Sequence, residues 1–136
     1  KDFDRDTYTC EVRDALIDHE IDLIAMAGFG TILNKPIYDD FSNRILNTHP
    51  SLLPSFPGWH AVEEALEYGV KVTGCTVHIA TEEVDAGPIL AQESIPVLKD
   101  DTKETLHERI KTVERQLYVD TINKIIATNG QIERDQ

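Results

Sequence analysis

The run I-D-L-I-A-M-A-G-F at residues 21–29 constrains this chain most. Apart from Asp22 it is uncharged, and it ends beside Gly28. A strand with one wet face alternates apolar and polar residues, whereas a short run apolar at nearly every position reads as a strand covered on both faces. Covering both faces takes helices, which points to an α/β domain around a largely parallel sheet. The run is also far shorter than the roughly 20 residues that cross a bilayer, so no membrane partner is expected.

The neighbouring patterns supply the helices. Tyr8, Val12, Ala15 and Leu16 form one apolar stripe behind Asp6, a candidate N-cap. A helical turn is expected from Pro36 to Phe41, followed by R-I-L-N at 44–47 as a second strand, and two strands joined by a helical connection suggest a parallel βαβ unit. A-V-E-E-A-L-E-Y-G at 61–69 predicts a helix closed by Gly69. Residues 72–80 and 88–97 read as β-rich strands with E-E-V-D-A-G between them. Asp101-Thr102-Lys103-Glu104 resembles a capping box. Leu106, Ile110, Val113, Leu117, Ile122, Ile125 and Ile126 follow at helical spacing up to Asn129-Gly130. The final Q-I-E-R-D-Q reads as a solvated tail. The 136 residues fit one domain, with a three-layer, Rossmann-like architecture and a mostly parallel central sheet flanked by helices.

Charge and cysteine content narrow the partners. With 25 acids against 13 bases the chain carries −12, a field that repels phosphate backbones, and it has no basic patch. Nucleic acid is therefore not an expected partner. Cys10 and Cys75 lie far apart without C-x-x-C spacing, as free thiols do in a reducing, cytoplasmic setting. The spacings of His49, His60, His78 and Cys75 fit no common zinc pattern, so no metal is expected.

Two loops carry the chemistry. The first, N-T-H-P-S-L-L-P-S-F-P-G at 47–58, directly follows a strand. In extended chain Asn47 and His49 point to the same side, and Pro50 stiffens the placement of His49. Ligands of open parallel sheets bind outside the carboxyl ends of strands. The second is T-V-H-I-A-T-E-E-V-D-A-G-P at 76–88, where Thr76 and His78 share a strand face and Asp85 sits in a turn beside Glu82 and Glu83. Taken singly, Asn47 reads as a turn cap, His49 as a packed imidazole and the acids as a solvated loop. Together, an amide, an imidazole and a carboxylate from separate loops match what acyl transfer to an amine requires: donors for an oxyanion and a group that takes the amine proton.

These two motifs, N-T-H-P-S-L-L-P-S-F-P-G and V-H-I-A-T-E-E-V-D-A-G-P-I-L, closely resemble those of the phosphoribosylglycinamide formyltransferase family of purine biosynthesis. The resemblance covers most of the chain and implies the formyltransferase fold. It also implies transfer of a formyl group from N10-formyltetrahydrofolate to the amino group of glycinamide ribonucleotide, by a monomer or homodimer. It makes Asn47, His49 and Asp85 the catalytic trio, with His78 and Thr76 in support. It puts Gly28, Ile32 and Leu33 at the pterin pocket and Thr81, Glu82, Glu83, Val84 and Asp85 in the folate loop. Arg5, Pro50 and Glu114 fall at the nucleotide substrate. The chain departs from the family in having Gly30-Thr31 where Met-Arg is usual, and residues 1–136 contain no Gly-rich phosphate loop, so the chain reads as a domain truncated at its N-terminal side. Related formyltransferases fit less well. The methionyl-tRNA enzyme usually continues R-G-A-x-P where this chain has F-P-G-W-H, and formyltetrahydrofolate deformylase usually has His-His-Ser where this chain has His49-Pro50-Ser51. A non-catalytic folate-binding module is the remaining alternative.

Overall fold

A computed structural model describes residues 3–29 and 31–128. The expected helix stop at Asn129-Gly130, the tail beyond it and Gly30 lie outside the described residues. The elements run α1 (Arg5–Asp18), β1 (Ile24–Ala25), α2 (Lys35–Asp40), β2 (Ile45–His49), α3 (Ala61–Tyr68), β3 (Val72–Ile79), β4 (Ile89–Pro96) and α4 (Lys103–Ala127). The strands form one sheet in the order β1-β2-β3-β4.

Three helix boundaries have a clear local cause. Asp4, rather than Asp6, caps α1, its carboxylate accepting the Thr7 N–H. Asp6 lies inside the first turn and instead accepts from the Asn34 side chain. Gly69 ends α3 in the left-handed conformation at φ +88°, as a C-terminal glycine does. Thr102 caps α4, and the reciprocal partner three residues on is Thr105.

The pairing is mixed. β1 and β2 run parallel, with Ile24 opposite Ile45, while β2–β3 and β3–β4 are antiparallel. The parallel character foreseen from the sequence is therefore carried by β1–β2. Residues 80–88 between β3 and β4 are too few for a parallel crossover, which takes a dozen or more residues, so that pair is a hairpin.

The three layers follow from alternation along the strands. Ile24, Met26, Ile45 and Ala80 pack with Tyr8, Val12 and Leu16 of α1 and with Ile37 and Phe41 at α2. Leu23, Leu46 and Ile79 point the other way, onto Tyr118, Ile122 and Ile125 of α4. Cys75 and Ile95 join Val62 of α3 and Leu106 and Ile110 of α4 on that same side. Helices thus pack on both faces of the 21–29 run, through Ile24 and Met26 on one side and Leu23 on the other, but the cover is partial: Ile21, Ala25 and residues 27–29 are exposed, and only Ile24–Ala25 forms ladder pairs. Ala15, placed in the α1 stripe by spacing, is exposed, and Thr9 is the buried residue of that helix. Its hydroxyl is used, accepting the Asn34 N–H at 3.0 Å.

Two polar anchors fix α4. The Tyr118 hydroxyl reaches the carbonyls of Met26 at 2.8 Å and Leu46 at 3.1 Å, tying the helix to β1 and β2 just before Asn47. Burial pushes its pKa up, so it stays a neutral donor. At the other end, Asp101 takes a two-pronged contact from Arg109 at 3.0 and 2.7 Å and also accepts the Leu98 N–H. The guanidinium hydrogen bond is the main reason its carboxyl lies far below the usual range.

Ile110 is fully buried, whereas Ile126, assigned to the core stripe by spacing, is 62% exposed near the end of the helix. Ile110→Ala should cost about 2–5 kcal/mol in urea unfolding, and Ile126→Ala about 0.5 kcal/mol or less. Equal losses would contradict this assignment of the core.

Candidate active site

In the antiparallel ladder, Asn47 lies opposite His78 and His49 opposite Thr76. Side chains alternate along a strand, so these four share one sheet face, while Leu46 and Thr48 look to α4. Further back on the site's face, Ile45 and Ala80 are covered by the cluster at α1 and α2. Where the polar residues begin, the loops at 50–58 and 80–88 come in instead.

His49 is 5% exposed and held from two directions. Its Nε2 lies 2.8 Å from the Phe56 carbonyl oxygen. Its Nδ1 lies 3.6 Å from Oδ1 of Asp85, a contact that becomes an ion pair when the ring is protonated. The other Asp85 oxygen accepts the Gly58 N–H at 2.8 Å. One carboxylate therefore joins the Pro-rich loop to the β3–β4 hairpin. Asp85 adopts φ +57°, a left-handed conformation that short polar residues tolerate better than most. Gly87 is required for a different reason: a Cβ there would overlap the Ile79 carbonyl oxygen.

Thr76 anchors the Pro-rich loop from below. Its hydroxyl donates to the Ser51 carbonyl at 2.7 Å and accepts the Leu53 N–H at 3.1 Å. Gln92, opposite Thr76 on β4, donates to the Leu53 carbonyl at 2.9 Å. His78 is 1% exposed; its Nδ1 lies 3.2 Å from the Ile79 carbonyl, and its Nε2 has no hydrogen-bond partner. Burial is the main cause of its lowered pKa, opposed by the Ile79 carbonyl and the Asp85 charge.

Asn47, His49, Thr76, His78 and Asp85 therefore converge. Pro50 is half-buried beside His49. Glu114 approaches from the opposite sheet face, where burial raises its pKa against a hydrogen bond from Thr48 and the charge of His49. Glu82, Glu83 and Val84 are exposed and Thr81 half-buried, its hydroxyl donating to the Glu83 carbonyl. Gly28 is exposed at φ +64°. The Leu33 side chain belongs to the core, which leaves its backbone for any ligand contact, and the Ile32 side chain is exposed. Arg5 donates to the Ile32 carbonyl at 2.6 Å. Ser51, Phe56, Gly58 and Gln92 were not singled out from the sequence. The P-G pair marks a turn, but the carbonyl and N–H that close around His49 and Asp85 are backbone groups, which residue types do not encode. Among the described residues no group of three or more His, Cys, Asp or Glu could hold a metal, and no helix is long and apolar enough to cross a membrane.

The layers and the polar cluster at the strand ends define a Rossmann-like α/β domain with a site built on two loops. Residues 2–122 match the family model described as formyl transferase, and the chain belongs to that family. It is 52% identical over 126 residues to phosphoribosylglycinamide formyltransferase of Mycobacterium tuberculosis, covering 93% of this chain and 58% of that protein. The Bacillus subtilis protein of the same name is 41% identical, over 85% of this chain and 60% of its own length. Among solved structures, phosphoribosylglycinamide formyltransferase from Bacillus halodurans superposes with a TM-score of 0.88 at 39% identity, covering 98% of this chain and 68% of that one. A formyltetrahydrofolate deformylase from Pseudomonas syringae gives 0.81 at 32% identity, over 86% and 39%. The chain thus spans about three-fifths of the length of the curated relatives named here.

The buried His78 has a stability consequence. A histidine whose pKa is lowered by folding contributes stability that is present above its ordinary value of 6.5 and is lost as pH falls below it, because the unfolded chain takes up the proton first. His78→Gln should therefore lose less stability than the wild type between pH 7.5 and pH 5, read from urea unfolding at the two pH values. The same loss in both proteins would contradict a buried neutral imidazole.

Proposed function

We propose that this chain carries the transfer centre of a phosphoribosylglycinamide formyltransferase, moving a formyl group from N10-formyltetrahydrofolate to the amino group of glycinamide ribonucleotide. The observation that carries the reading is the approach of His49 Nδ1 to Asp85 at 3.6 Å, on the face that also bears Asn47. The names of the relatives at 52% and 41% identity support the same substrates.

On this reading the substrate amine attacks the formyl carbon, an N–C bond forms, and the carbonyl electron pair moves onto oxygen. The Asn47 amide and the protonated His49 ring stabilise that oxyanion, the role that placed donors play best in a site closed to water. Asp85 accepts the proton released by the amine, directly or through water. As the intermediate collapses, the bond to folate N10 breaks and N10 receives that proton, so the proton count balances. His78 and Thr76 hold the supporting frame. Gly28, backbone at Ile32 and Leu33, and the loop at 81–85 take the folate, while Arg5, Pro50 and Glu114 serve the nucleotide. Residues 1–136 belong to a single formyltransferase domain of a cytoplasmic enzyme, monomeric or homodimeric, which uses no metal.

A hydrolytic reading, with water in place of the amine, draws on the deformylase neighbour at 32% identity. It shares the fold and differs in the acceptor. Under either acceptor Asp85→Asn keeps the side chain's size and removes its capacity to take a proton. Turnover should fall by at least about a hundredfold, with formyl-folate binding nearly unchanged. Near-normal turnover of Asp85→Asn would refute the role given to that carboxylate.

A further inference from the structure

We propose that Ser51 is a positioning residue that fixes the tautomer of His49 by holding the Ser55–Phe56 turn, chiefly through the Ser55 carbonyl, so that the Phe56 carbonyl stays on Nε2. A carbonyl oxygen only accepts hydrogen bonds, so a 2.8 Å contact between His49 Nε2 and the Phe56 oxygen requires the proton on Nε2. That leaves Nδ1, the nitrogen facing Asp85, as the ring position that gains or loses a proton.

The carbonyl is held there against a local preference. Phe56 lies at φ +52°, in the left-handed region, and precedes Pro57, whose ring biases the preceding residue towards extended backbone. A bulky residue in this conformation persists only when its surroundings over-determine it. The surroundings do so through Ser51. It is wholly buried, and its hydroxyl donates to the Ser55 carbonyl at 2.5 Å with the Phe56 carbonyl at 3.3 Å. Ser51 is itself fixed because its own carbonyl accepts from Thr76, whose hydroxyl also takes the Leu53 N–H, while Gln92 donates to Leu53. A continuous set of hydrogen bonds thus runs from β3 and β4 through Ser51 to the imidazole.

With its two ring nitrogens facing Phe56 and Asp85, His49 acts on the oxyanion through its positive charge; the proposal rests on that reading for its catalytic meaning, but its test does not need turnover. Chain labelled with 15N in histidine would be examined by long-range 15N–1H correlation at a pH where the rings are neutral, with His49→Gln identifying the His49 signals. The expected pattern is a protonated Nε2 and a bare Nδ1. Ser51→Ala should move both nitrogens towards the average of the two tautomers, and Ser51→Thr, which keeps the hydroxyl, should restore the original pattern. In formyl transfer, Ser51→Ala should lower kcat about three- to tenfold, as loss of one hydrogen bond does, with KM for the formyl-folate unchanged. A wild-type His49 protonated on Nδ1, or a Ser51→Ala spectrum identical to wild type, would overturn the proposal. A protein that carries these residues together with the phosphate-binding segment and gives the expected tautomer pattern, but transfers no formyl group, would overturn the transferase reading and leave the clamp supported.

Discussion

The antiparallel register of β2 on β3 is the constraint on which the rest depends. Pairing Asn47 with His78 and His49 with Thr76 puts these four polar side chains on one face and Leu46, Thr48, Cys75, Val77 and Ile79 on the other. A slip of one residue would turn the imidazoles into the apolar layer under α4 and the aliphatic residues into the site. The register is therefore specified twice over, by apolar burial against α4 and by the polar loops on the opposite face. Tyr118 adds a third tie, since its hydroxyl binds β1 and β2 at the last carbonyls before the site.

The sheet supplies position, and the two loops supply reactivity. Asp85 and Phe56, the residues that reach His49 from the loops, both have positive φ without being glycine. Such conformations are stored at sites where surrounding contacts compel them. Here the compelling contacts are visible: Gly58 N–H holds the Asp85 carboxylate, and the Ser51 hydroxyl holds the turn at Ser55 and Phe56. The imidazole is nearly closed off from solvent, with the Asp85 carboxylate 3.6 Å from its Nδ1.

Much of this was legible in the residues. The nearly uncharged 21–29 run implied helices on both faces, and α1, α2 and α4 provide them. Period-two placement put Asn47 with His49 and Thr76 with His78, and the ladder joins the two pairs. What composition does not carry is strand direction: the β3–β4 hairpin follows from loop length, and the antiparallel return of β2 to β3 from tertiary packing. Helix ends also resist periodicity, as Ile126 illustrates by facing solvent. Backbone contributions stayed hidden altogether, because a carbonyl at Phe56 or an N–H at Gly58 belongs to any residue type and acquires its role only from the turn.

The most direct test of formyl transfer is to follow the formyl carbon itself. N10-[13C]formyltetrahydrofolate would be incubated with the protein, with and without glycinamide ribonucleotide, and the carbon tracked by NMR. The account predicts a formylated amine that appears only when the acceptor is present, with little free formate. Formate released at the same rate with and without the acceptor would contradict it.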